Sequence, residues 1–80
     1  MAFTAIENMR VGYLVGFEDR ESNRYIIFDP RDRGFTLYTG RYGHGCNPIT
    51  GPRARPYIDK LTPEQIALCT AASLLRKDSP

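Results

Sequence analysis

His44 and Cys46 stand two residues apart among glycines, and with Cys69 they supply the only imidazole and thiols of the 80-residue chain. A structural zinc takes four Cys or His ligands. Three are present, and Cys69 lies far along the chain. A Cys–His nucleophile needs the imidazole within hydrogen-bond reach of the thiol and a third group to orient it. Two positions on one loop, with no compelling Asn or Asp to orient the ring, promise neither. The plainer reading is a loop histidine beside an ordinary cysteine. Gly40, Gly43 and Gly45 suggest a phosphate cradle, but the Gly-Lys-Ser/Thr of a P-loop and the βαβ setting of a dinucleotide fingerprint are both missing. The acidic pairs Glu18/Asp19 and Asp29/Asp32 fall in turns expected to be wet, where nothing shifts a pKa toward acid–base work. No metal, no cofactor and no turnover are expected.

Binding chemistry is better supplied. Residues 40–57 hold four Gly, three Pro, Arg41, Arg53, Arg55, Tyr42 and Tyr57, with no acidic residue. Structureless stretches this long are uncommon in compact domains and are usually functional or disordered. Arg grips carboxylate or phosphate in planar pairs and stacks on rings. Arg and Tyr are also the types enriched at interface hot spots. The expected partner contact is therefore Arg41, Tyr42, Arg53, Arg55 and Tyr57, helped by Arg31 and Arg33. A protein partner is favoured. The same residues suit nucleic acid, with Arg on phosphate and Tyr stacked on bases, and a solvated Arg-containing linker is the bland alternative.

These side chains need a frame, and the stretch 24–39, RYIIFDPRDRGFTLYT, reads as a β-hairpin. Tyr25–Phe28 and Phe35–Thr39 are strand formers that alternate across a pleat. Between them Asp29 can bond back to the backbone, Pro30 fixes a turn φ and Gly34 tolerates a positive one. Residues 11–17 read as a further strand, with Val11, Tyr13, Val15 and Phe17 on one face. Gly12 and Gly16 in that strand suggest a bulge or a close backbone approach. Glu18–Asn23 reads as a charged turn. Phe3 and Ile6 either pair as a short edge strand or lie loosely on the sheet.

The C-terminal segment reads as a helix. Thr62 suits the N-cap, Pro63 the first helical position, and Gln65 completes a capping box. Arg76 and Lys77 fall in the last turn, complementing the helix dipole. Leu61–Gln65 is similar to the opening of an EF-hand, but no acidic calcium loop follows. Ala67, Leu68, Ala71, Leu74 and Leu75 form one apolar stripe, expected to lie on the sheet. Ile66 falls outside it, and is expected to cover the sheet edge rather than stand exposed. Cys69 reads as a small packing residue.

The expected architecture is a single α+β domain over residues 1–80, an antiparallel three-stranded meander with the helix packed on it. Tyr13, Val15, Ile27, Leu37, Leu68, Ala71 and Leu75 are the core candidates. The alternative is a small SH3-like barrel plus helix, with residues 2–7 and part of 46–58 adding strands. Hydrophobic content of 41% and nine aromatic residues suffice for a small core. Net charge is +2, split between −1 over residues 1–40 and +3 over 41–80, and nine of the eleven basic residues are Arg. No stretch has the length of a membrane span or the pattern of a secretory signal, and two cysteines are too few for a disulfide scaffold. A cytoplasmic location is expected.

In overall character, the segments RYIIFDPRDRGFTLYTG and KLTPEQIALCTAASLLRK in an 80-residue βββα chain without a catalytic set, the protein resembles small phage-encoded inhibitors of the anti-CRISPR type. That resemblance implies a stoichiometric inhibitor that binds a host protein or ribonucleoprotein complex, such as a CRISPR surveillance complex, and blocks its target DNA binding. Many such inhibitors are acidic DNA mimics, a mode that a slightly basic chain does not suit. It carries over no residue roles.

Overall fold

The computed structural model describes residues 2–7, 9–10, 12–44 and 47–78, with side chains as far as residue 75. Val11 and Cys46 lie outside the described residues. The chain is α+β. Five antiparallel strands, β1 (Thr4–Ala5), β2 (Val15–Asp19), β3 (Arg24–Asp29), β4 (Gly34–Thr39) and β5 (Pro48–Ile49), lie side by side in chain order. A 3₁₀ turn (Gly51–Arg53), a short helix α1 (Arg55–Ile58) and the long helix α2 (Pro63–Asp78) follow. The three-stranded expectation is thus corrected to five. The two added strands are only two residues long, too short to show any periodicity, and they come from the N-terminal segment and the Gly/Pro-rich stretch. β1 and β5 occupy opposite ends of the strand order and do not pair with one another.

The central hairpin forms where the residue types put it. β3 and β4 pair from Arg24↔Thr39 to Asp29↔Gly34. In the turn, Asp29 Oδ1 accepts from the Arg31 N–H at 2.9 Å, and the Arg33 N–H reaches the Asp29 carbonyl at 2.8 Å. The positive φ falls on Arg33, at 57°, and not on Gly34. Gly34 serves close approach instead. Its N–H donates to Asp32 Oδ1 at 2.8 Å, and a Cβ there would stand 2.9 Å from that oxygen.

The second strand is displaced from its expected range of 11–17. Residues 12 and 13 turn, and the strand runs on through Glu18 and Asp19. Asp19 is buried rather than wet. Its carboxylate accepts from the Glu21 N–H at 3.1 Å and the Ser22 hydroxyl at 2.9 Å, so the charge is satisfied by the turn it closes. Gly16 does mark a close approach, but by side chains. A Cβ there would meet Met9 Sδ at 2.7 Å and Ile6 Cδ1 at 3.0 Å.

The core lies on the face shared by Val15, Phe17, Ile26, Phe28, Phe35 and Leu37, which stand opposite one another in register. Phe17, Ile26 and Leu37 are wholly buried. Phe3, Ala54, Leu61 and Cys69 close over them. Of the expected core, Leu37 is buried and Val15 packs against the cluster. Tyr13 is only half-buried, and Ile27 lies on the sheet face opposite Ile26.

The remaining corrections concern α2. Leu68, Ala71 and Leu75 are exposed, as are Ala67 and Leu74. The helix turns its Cys69/Ser73 side inward and its apolar stripe outward. The inward side is tied to the body at the helix start. The capping box forms in full, with the Thr62 N–H on Gln65 Oε1 at 2.8 Å and the Gln65 N–H on Thr62 Oγ1 at 3.2 Å. The Gln65 amide then donates to the Phe3 carbonyl at 2.6 Å. That bond holds Gln65, and with it Cys69 and Ser73 one and two turns on, against the body of the protein. Ser73 satisfies its own buried hydroxyl by donating to the Cys69 carbonyl at 3.1 Å. Ile66, expected to cover the sheet edge, is instead exposed at 39% and lines an open cleft with Phe28 and Phe35. Thr62→Ala is expected to lower the unfolding free energy by about 1 kcal/mol. Urea melts of the two proteins check this, and equal stability would show that the helix does not depend on its cap.

Candidate functional site

The stretch 40–57 is a strap tied to the body at several points. The Gly40 N–H donates to the Asn23 carbonyl at 2.7 Å and the Thr39 N–H to the Asn47 carbonyl at 3.1 Å. β5 then pairs along β4 at Leu37↔Ile49 and Tyr38↔Pro48. Past it, Ala54 is buried, and Ile49, Tyr57 and Ile58 pack on the core. Gly40, Gly43 and Gly51 take positive φ at the corners.

Both tyrosines of the strap are half-buried anchors. The Tyr42 hydroxyl accepts the Arg10 N–H at 3.0 Å. Its ring meets Tyr25 edge-on at 5.6 Å, and Tyr25 stacks on Tyr38 at 4.8 Å. The Arg24 guanidinium sits over the Tyr57 ring, 5.7 Å from its centre, while its Nη1 donates to the Ser22 and Asn23 carbonyls. Arg41, Arg53 and Arg55 are exposed. Arg55 Nε pairs with Asp59 at 3.0 Å, an exposed pair one turn apart that contributes little to stability.

Arg31 and Arg33 stand elsewhere. The strap meets the hairpin at the Arg24↔Thr39 end, and the tip carrying these two arginines is five residues away along the ladder, about 17 Å. Arg31 is held by Asp29 at 2.9 Å and lies over the Tyr13 ring at 4.8 Å. The hydrogen bond that Arg31 donates to Asp29, then that carboxylate's charge, keeps the guanidinium above its ordinary pKa. The tip pair therefore stands apart from the strap, and within the strap Tyr42 lies against Tyr25 on the face away from the core while Tyr57 packs on the core side with Arg24.

Sequence reasoning passed over two contributors. Arg24 and Tyr25 back the strap's tyrosines from β3, and the alternation of Tyr25 and Tyr38 on the face away from the core was the available signal. A polar cleft also opens where Arg41, Tyr42 and His44 face Glu7, Glu18 and Arg20. Cys69 is buried, and loss of solvent pushes its thiol up to about 11. It stays protonated at neutral pH and is no nucleophile. Among the described residues, no three His, Cys, Asp or Glu side chains gather as a metal site, and no helix is long and apolar enough to cross a membrane.

No protein family, no characterised protein and no solved structure matches the chain.

Proposed function

We propose that the protein acts by binding another macromolecule, without turnover, through the strap residues Arg41, Tyr42, Arg53, Arg55 and Tyr57. The observation that carries this reading is the bracing of the strap. Exposed guanidinium groups project from a backbone fixed by β5, the buried Ala54 and two packed tyrosines. A surface ordered before contact loses less entropy on binding. The partner is a protein, or the protein part of a ribonucleoprotein complex, that presents carboxylates to the arginines. In the anti-CRISPR-like form of the proposal, the complex is a host surveillance complex and binding blocks its target DNA. The tip residues Arg31 and Arg33 serve as a second, separate contact.

Direct nucleic-acid binding is the second reading, favoured by the Tyr25–Tyr38–Tyr42 cluster beside Arg41. Salt separates the two. Three strap arginines on duplex phosphates give a slope of log K against log[salt] of roughly −2 to −3. An Arg–carboxylate contact around a desolvated anchor is screened much less. The expected result is no measurable binding to bare DNA or RNA near ~0.15 M salt, and recovery of a defined protein complex from host lysate after nuclease treatment. Tight, steeply salt-dependent binding to bare nucleic acid would overturn the proposal in favour of the second reading.

A further inference from the structure

We infer that the open cleft between α2 and the Phe28/Phe35 end of the sheet binds a small aromatic carboxylate, its ring against the two phenylalanines and its carboxylate on Arg33. This goes beyond the strap reading and does not depend on it; Arg33 alone is shared with the tip contact. The cleft holds about 240 Å³ between Phe28, Phe35, Ile66 and Leu74, with Arg33 in its lining. It exists because α2 reaches the core through two small residues, Cys69 and Ser73. Ile66, Thr70 and Leu74, one turn apart in a row, stay exposed beside them.

Size and shape set the body of the ligand. A dry cavity of ~150 Å³ takes benzene. A fused bicycle of about ten carbons therefore suits this cleft, whereas drug-sized ligands occupy roughly 300–1,000 Å³. Phe28 and Phe35 stand 4.8 Å apart between ring centres and are tilted by 50°. A third ring extends that pair edge-to-face or offset-stacked, contacts that contribute beyond the area they bury.

The polar groups around the cleft set the charge. The Thr70 hydroxyl donates to the Ile66 carbonyl at 3.1 Å and the Ser73 hydroxyl to the Cys69 carbonyl at 3.1 Å, so both protons are engaged within the helix. The Cys69 thiol is protonated and a weak donor. Among the described residues the Arg33 guanidinium makes no ion pair and no side-chain hydrogen bond. Its base is fixed, since the Arg33 N–H is held by the Asp29 carbonyl at 2.8 Å. The carboxylates on either side are engaged in the turn, Asp29 with Arg31 and Asp32 with the Gly34 N–H.

One planar donor fork beside an apolar cleft is matched by a single carboxylate on a flat apolar body. A cation meets like charge at Arg33, and a polyhydroxyl ligand finds the cleft's hydroxyl protons already engaged. A neutral ring of the same size gains the apolar contact without the charge-assisted bonds.

Amide chemical shifts of the full chain titrated with naphthoate test this. Saturation is expected with a dissociation constant of roughly 0.1–1 mM, the range of a ligand this small, and with the shifts at residues 28, 33–35 and 66–74. Naphthylmethanol, the neutral counterpart, is expected to bind about 10-fold more weakly, and acetate, the head alone, not measurably. Arg33→Asn suits the positive φ of that position and is expected to bring naphthoate down to the level of the alcohol. Thr70→Trp fills the cleft from an exposed helix position and is expected to abolish the shifts with an unchanged circular dichroism spectrum. Arg53→Glu with Arg55→Glu is expected to bind naphthoate like the parent, which keeps this site distinct from the strap. No saturation up to about 10 mM, equal affinities for the acid and the alcohol, shifts centred on Leu68 and Leu75, or an Arg33→Asn or folded Thr70→Trp protein that binds like the parent would each overturn the site.

Discussion

Phe17→Ala is expected to lower the unfolding free energy by about 3–5 kcal/mol. Phe17 has no exposed surface, stands between Ala5 and Ile26 in the sheet, and belongs to the core that Leu37 and Cys69 complete. Truncation removes the transfer energy of a ring and leaves a cavity that three strands cannot close without breaking register. At roughly 0.05–0.15 kcal/mol per residue, a chain of this size has only about 4–12 kcal/mol in total. The variant should therefore melt about 12–40 °C below the parent by calorimetry. Leu75→Ala is the matched control. With its side chain mostly in water, it is expected to change monomer stability by no more than about 0.5 kcal/mol. Equal losses in the two variants would mean that the helix buries its leucine stripe after all.

Arg53→Glu with Arg55→Glu is expected to abolish partner capture and leave the fold in place. Both side chains are exposed and neither belongs to the core. The only ion pair disturbed among the described residues is Arg55–Asp59, and the glutamate set one turn from Asp59 costs a few tenths of a kcal/mol. At the interface the change is larger. Two attractive contacts become two like-charge contacts against a carboxylate-bearing partner, a reversal of several kcal/mol when desolvated. Pull-down from host lysate and the thermal melt of the double variant measure the two effects separately. A variant that recovers the same complex at parental yield would remove the strap from the interface.

The hairpin was legible because its information is local. Aromatic and β-branched alternation names the strands, and Asp29-Pro30 with Gly34 names the turn. The start of α2 was legible for the same reason, since a capping box is written within four residues. The face of α2 was not. A 3.6-residue period identifies an apolar stripe but not what covers it, and here the inward side is the one that carries Gln65, bonded to Phe3 from the far end of the chain. The outer strands entered through the alternative fold, which drew strands from residues 2–7 and 46–58, because two residues each are too few to show a period. Asp19 misled because a charged pair beside a turn is usually wet, whereas this carboxylate is buried by accepting bonds from the turn itself. The strap residues were singled out by composition alone. Composition, however, carries no distance, so the tip arginines were joined to a surface they stand apart from.

The sheet's strict chain order has a kinetic consequence. Each strand pairs with its neighbour in sequence, so every ladder closes a short loop and the chain can zip outward from β3 and β4 without searching for distant segments. Ties of longer range lie outside that economy, the Arg10–Tyr42 bond across 32 residues and the Gln65–Phe3 bond across 62. The latter needs β1 seated on β2 and the first turn of α2 already capped. The closing of α2 onto β1 is therefore expected to follow the assembly of the central ladders.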